Sequence, residues 1–156
     1  MGCRSCLQRP LPAGLALLLV ACGSGPFSQS EALSLRQAEE RWSATAPSHY
    51  TLEMRRLCFC GPDVTEWATI EVDHDSLVAV TLLTGDSVPH SAWYARPPVP
   101  QLFRDLHNYR PSWLDDVRAE YDTANGYPSR IVFTSDNSVT DAGLIIEARE
   151  LTPIAP

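Results

Sequence analysis

The twelve residues HYTLEMRRLCFC, His49 to Cys60, alternate between two kinds of side chain. Tyr50, Leu52, Met54, Cys58 and Cys60 share one phase, broken only by Arg56, while Thr51, Glu53 and Arg55 take the other. Successive side chains of an extended chain point to opposite faces, so a period of two predicts a strand with one face on a core and one in solvent. The pattern recurs at residues 66–73, with Ala68, Ile70 and Val72 in phase, and at 77–84, with Val78, Val80 and Leu82 in phase. A polar turn, Asp73-His74-Asp75-Ser76, separates those two. Three such runs in succession predict an antiparallel meander.

Two segments have helical spacing instead. Leu35, Ala38 and Trp42 fall at i, i+3 and i+7, Ser28 and Glu31 have the spacing of a capping box, and Pro47 closes the run. The spacing predicts a helix over 30–45. Leu102, Phe103, Leu106 and Tyr109 share a second helical face. Between the meander and this helix, residues 85–100 are rich in proline (Pro89, Pro97, Pro98, Pro100) and read as a long irregular loop carrying Trp93 and Tyr94. Loops of this length are uncommon without a role, and such aromatics are enriched at binding surfaces. The competing reading folds them back over a sheet edge. Three further strands, at 116–122, 129–135 and 143–151, complete the order α-β-β-β-α-β-β-β. That order predicts an α+β fold, antiparallel sheet with two helices on one face. It also raises the idea of a duplicated α-β-β-β unit, although no residue-level repeat supports it.

The N-terminus assigns a compartment. Arg4 and Arg9 precede an apolar run from Leu11 to Ala21, too short for the roughly 20 residues a bilayer span needs. Basic, then apolar, then small is the layout of a secretory signal. Leu19-Val20-Ala21-Cys22 resembles the bacterial lipobox, which implies cleavage before Cys22 and acylation of its sulfur. The expected organisation is a signal peptide over 1–21, the acylated Cys22 with a flexible tether over 22–29, and a single domain over 30–152. Two acyl chains anchor stably. Gly23 and Ser24 do not supply the aspartate that, by resemblance to other lipoproteins, retains a protein at the inner membrane, so the outer membrane is the expected site.

The twelve basic residues are all arginine. Ten follow the leader, against 19 acidic residues, a formal charge of −9. An acidic chain does not carry the footprint of a nucleic-acid binder, and no nucleic-acid partner is expected. The absence of lysine removes Schiff-base chemistry.

With Cys3 and Cys6 in the leader and Cys22 acylated, Cys58 and Cys60 are the remaining thiols, in a compartment where disulfides persist. In a regular strand their positions lie about two 3.3 Å rises apart, too far for a bridge, but the Gly61-Pro62 turn signal permits a bend. A local disulfide leads the readings, followed by two buried thiols, then metal or redox use. Zinc wants four ligands, and His49, His74, His90 and His107 show no paired spacing, so no metal or other cofactor is expected. A calcium site from Asp122, Asn125, Asp136 and Asp141 lacks the EF-hand spacing, and these acids read as turn formers. Asn125-Gly126 is a strong hairpin signal. No Ser-His-Asp or Cys-His set is evident, and Asp115-Asp116 reads as a solvated turn.

Trp42, Tyr50, Arg56-Leu57-Cys58-Phe59-Cys60, the hairpin after them, Leu102-Phe103 and YDTANGYPSRI (Tyr121 to Ile131) together resemble the DUF6174 family of small, often lipid-anchored bacterial proteins. The resemblance covers about residues 35–151. It departs at Asp141, where Ala142-Gly143 follow instead of a second acid. It implies fold and compartment but carries over no catalytic residue. The leading expectation is a lipid-anchored, non-enzymatic envelope module binding an envelope protein or cell-wall component. Its rivals are a thiol-redox or copper module at Cys58 and Cys60, and a hydrolase.

Overall fold

A computed structural model describes residues 29–109, 116–134 and 143–155. Helix α1 (Gln29–Thr45) buries Leu35, Ala38 and Trp42 and ends before Pro47, whose ring disfavours helical backbone in the residue ahead of it. The chain turns into β1 (His49–Leu57), and a four-residue helix α2 (Pro62–Thr65) leads to β2 (Ala68–Asp73) and β3 (Ser76–Leu82). A 3-10 helix (His90–Ala95) precedes α3 (Val99–Asn108), and β4 (Asp116–Tyr121), β5 (Pro128–Thr134) and β6 (Leu144–Pro153) follow.

All six strands join one antiparallel sheet in the order β3-β2-β1-β6-β5-β4. One face is apolar: Tyr50, Leu52 and Met54 of β1, Ala68, Ile70 and Val72 of β2, Ile131 and Phe133 of β5, Ile146 and Ala148 of β6. The longer helices meet at this face. Trp42 of α1 sets its ring edge-on to Tyr50 at 5.7 Å, and the Tyr50 hydroxyl accepts a hydrogen bond from the Val99 amide at the start of α3. Phe103 of α3 stacks with Tyr121 of β4. The mixed α+β class agrees with the sequence reading, and the expected order is met in part, with α2 inserted between β1 and β2 and the 3-10 helix before α3. The two-helix cover is met only in part, because α2 and the 3-10 helix also bury Val64, Ala92 and Ala95 in the same core.

Three expectations change. Residues 85–100 are not irregular throughout, since His90–Ala95 form the 3-10 helix. In β3, Val78 is exposed and Leu77 packs on the core, because a bulge shifts the register between Glu71–Ala79 and Val72–Leu77. A one-residue shift reverses which face a side chain takes. The duplicated unit also fails. With every pair antiparallel, β1 and β4 run in opposite directions, and turning one half to match the other would move its helix to the opposite face.

The other face of the sheet has no helix over it among the described residues. Glu147 receives hydrogen bonds from Arg55 and Arg130, each at 2.6 Å, and Glu53 receives one from Arg149 at 2.8 Å. The Trp67 ring lies 4.8 Å from the Arg55 guanidinium and 4.1 Å from that of Arg149. Opposite charges facing across neighbouring strands support this pairing modestly, by roughly 0.2–1 kcal/mol each.

Candidate functional site

The strand phase that carries Tyr50, Leu52 and Met54 into the core delivers Arg56 to the same face one step later. Arg56 lies opposite Ile146 of β6, and Ile146 lies opposite Ile131 of β5. An arginine therefore continues a row of buried isoleucines. Above this row the segment from Trp93 to Asp105 stands away from the sheet, leaving a cleft of about 480 Å³. Its floor is formed by Ile131, Phe133, Leu144 and Ile146, its wall by Trp93, Pro97, Pro98 and Leu102. Polar groups enter only from Arg56, Tyr94, Gln101 and Asp105 among the described residues. A mostly apolar cavity with a few polar groups is the form of a ligand site.

Trp93 and Tyr94, one after the other in the 3-10 helix, are placed differently. The Trp93 indole N–H donates to the Val88 carbonyl at 3.0 Å, its ring stacks obliquely on His90 at 4.6 Å, and it is half-buried. Tyr94 is 68 % exposed, with its ring 5.9 Å from the Arg56 guanidinium. Among the described residues Arg56 donates no hydrogen bond and forms no ion pair. Burial lowers its guanidinium below the ordinary arginine range, and Tyr94 and Asp105 work against that shift. Asp105 is otherwise engaged, its Oδ1 accepting from Gln101 Nε2 at 2.5 Å.

Arg96, which the sequence did not single out, is fully buried beside this cleft. It donates to the carbonyls of Asp63 at 2.6 Å, Glu66 at 2.7 Å, Val64 at 3.3 Å and Met54 at 3.4 Å. A helix as short as α2 leaves its last carbonyls without partners, and Arg96 caps them. Burial lowers this guanidinium too, with the Asp63 charge acting the other way.

The cysteines lie at the far end of β1. Pairing with β6 stops at Leu57, the Cys60 amide bonds back to the Cys58 carbonyl at 2.8 Å, and the Cα atoms approach to 5.2 Å. The sulfurs are 2.01 Å apart, at disulfide distance. Cys60 is exposed, where the strand phase placed it inward, because the turn ends the strand first. Phe59, at the tip of this ring, is 96 % exposed.

The remaining candidates lie apart. His49 meets Glu71 at 2.8 Å, His74 meets Asp73 at 2.7 Å, and His107 meets Glu39 at 2.7 Å. Asp122 Oδ1 accepts from the backbone amides of Ala124 and Asn125 and from the Asn125 side chain, a turn-forming role. Asp116 pairs with Arg118 at 3.0 Å. Among the described residues no group of three or more His, Cys, Asp or Glu is disposed to hold a metal ion, and no helix is long and apolar enough to cross a membrane. The expected leader, Cys22, Ser28, Asp115, Asp136 and Asp141 lie outside the described residues, as does the expected tether over 22–29 apart from Gln29, which begins α1.

In comparisons with curated proteins and with solved structures, no match to the chain is found. A model of one protein family, described as a family of unknown function, matches residues 34–153, from the middle of α1 to the end of β6. The match takes in both β1 with its cysteine ring and the whole wall and floor of the cleft, and the chain belongs to the DUF6174 family.

Proposed function

We propose that the chain is a non-enzymatic binding module of the bacterial cell envelope. It is held to the membrane, with the outer membrane as the favoured site, by acyl chains on Cys22. It takes an envelope protein or cell-wall component at the cleft mouth marked by Trp93 and Tyr94. The observation that carries this reading is Tyr94, a large aromatic ring left 68 % exposed at the rim of an apolar cleft while its neighbour Trp93 is fixed behind it. Rigid aromatic anchors with a polar tip are the side chains most often responsible for binding energy.

The test is a photo-crosslinking residue at position 94 of the full chain in living cells, with position 83, exposed just after β3 and outside the cleft lining, as the control. A discrete adduct from 94 and none from 83 supports the module. Equal adducts from both sites, or none, count against it. Metabolic labelling with an alkyne fatty acid checks the anchor, and signal that survives Cys22→Ala sinks that part.

The rival reading, a thiol-redox or copper module, keeps one support, the surface position of Cys60. Intact mass with and without alkylation decides it. Two free thiols in the protein from an oxidising compartment would favour the rival.

A further inference from the structure

We propose that the cleft is a site for an anionic amphiphile, its carboxylate or phosphate paired with the Arg56 guanidinium and its apolar body laid against Leu102, Ile131, Phe133 and Ile146. The proposal rests on the reading of the cleft as a binding site and adds the chemical class of its occupant.

Three observations meet at Arg56. Its position in β1 belongs to the core-facing phase, and its cross-strand neighbours in the same row, Ile146 and Ile131, are 7 % and 1 % exposed. A stability requirement alone is met better by an apolar residue there, since a half-desolvated charge without a hydrogen-bonding anion is costly. The guanidinium has five N–H donors in a planar fork, and among the described residues none of them is engaged in a hydrogen bond. Among the described residues the one carboxylate lining the cleft, Asp105, lies beyond ion-pair distance and is hydrogen-bonded to Gln101. Among the described residues, a half-buried cation that meets the Tyr94 ring but no hydrogen-bonding anion thus lies next to an open apolar surface. A single molecule with an anionic head and an apolar body complements both. Guanidinium binds carboxylate and phosphate in a two-point fork, the strongest neutralisation open to it. The volume, about 480 Å³, lies within the range of small-ligand sites.

The test uses the full chain in phosphatidylcholine nanodiscs, with empty nanodiscs subtracted, titrated with decanoate, decyl phosphate, decanol and decyltrimethylammonium and followed by calorimetry. Charge-assisted hydrogen bonds to the head predict that at least one anion binds about tenfold or more tightly than decanol, with the cation weakest. Preference for decanoate points to a free carboxylate as the natural source, and preference for decyl phosphate to a phosphate head; either supports the site. Arg56→Met, which fits the apolar row and whose melting curve confirms folding, brings the anions level with decanol, and Arg56→Lys recovers part of the preference. Anions that bind no tighter than decanol, or a preference that survives Arg56→Met, overturn the proposal. If position 94 crosslinks a partner while neither anion binds, the inference fails and the binding-module reading stands. If neither experiment succeeds, both fail.

Discussion

Arg96 is the side chain on which the region between β1 and β2 depends, and replacing it with methionine removes the clamp while roughly conserving volume. Two of its four hydrogen bonds, to Asp63 O at 2.6 Å and Glu66 O at 2.7 Å, are short, and two, at 3.3 and 3.4 Å, are weak. Each well-formed bond from a charged donor contributes about 1.5–3 kcal/mol, and each carbonyl left dry costs about 1–3 kcal/mol. The two short bonds together contribute about 3–6 kcal/mol, and relief from burying the charge offsets part of that. For a domain of this size, a melting temperature lowered by about 10–20 °C follows. Far-UV circular dichroism measures that shift, and hydrogen exchange locates it: the amides of Val64, Thr65 and Glu66, which bond to Gly61 O and Pro62 O, exchange fastest relative to the native chain. Arg96→Lys recovers little, since a compact ammonium with three donors does not span carbonyls this dispersed. A melting temperature within about 4 °C of native for Arg96→Met, or unchanged exchange over α2, refutes the clamp.

Gly126 has φ +84° and packs against α1 so closely that a methyl group there presses into the Ala38 carbonyl oxygen and comes within 2.9 Å of the Trp42 nitrogen. Gly126→Ala is therefore expected to cost more than about 2 kcal/mol by urea denaturation; a neutral substitution refutes the close approach. Cys58→Ser/Cys60→Ser removes a bridge that closes a loop of three residues, for which the chain-entropy relation gives at most about 1.6 kcal/mol, so a larger loss in urea melts means that the bridge does more than join its neighbours. Burial raises Tyr50, Tyr121 and Tyr127 from 10.0 to about 12, with the Val99 hydrogen bond to Tyr50 opposing the shift and the charges of Asp75, Glu39, Glu31, Asp122 and Glu150 adding to it. The native state then holds protons that the unfolded chain releases, so this stability is present below pH 10 and is lost as pH rises through the interval to about 12. Urea melts across that interval, with a tyrosinate absorbance titration, check the sign; stability flat to pH 12 contradicts it.

Much of this fold was legible because most elements bury one side only. The spacing of Leu35, Ala38 and Trp42, and the alternation through Tyr50, Leu52 and Met54, are direct imprints of a core on one flank. The bulge in β3 was not legible, since it depends on how β2 meets β3 and no residue near Val78 announces it. The cysteines remained open for a related reason: alternation gives no sign that β1 ends at Leu57 and turns. Arg56 showed itself as a break in phase, but its surroundings come from β5 and β6, far along the chain. Arg96 left no trace at all, because its partners are backbone carbonyls, which every residue possesses. Trp93 and Tyr94 were found by type, whereas their division into one fixed and one exposed ring needed the 3-10 helix.

The centre of the sheet joins β1 to β6, pairing segments that bracket nearly the whole domain; Arg55 and Glu147 are 92 residues apart in the chain. Newly made protein can form the β1–β2–β3 meander early, but β1 keeps one hydrogen-bonding edge open until the last ten-residue strand arrives. Closing so long a loop is entropically costly before the contacts reward it, and this slows folding. An unpaired central strand is also a template for another chain. A protein shortened before residue 144 therefore loses the middle of its sheet, leaving one three-stranded and one two-stranded fragment with raw inner edges. Its fate is aggregation or degradation, while loss of a few residues from β3 at the margin is far better tolerated.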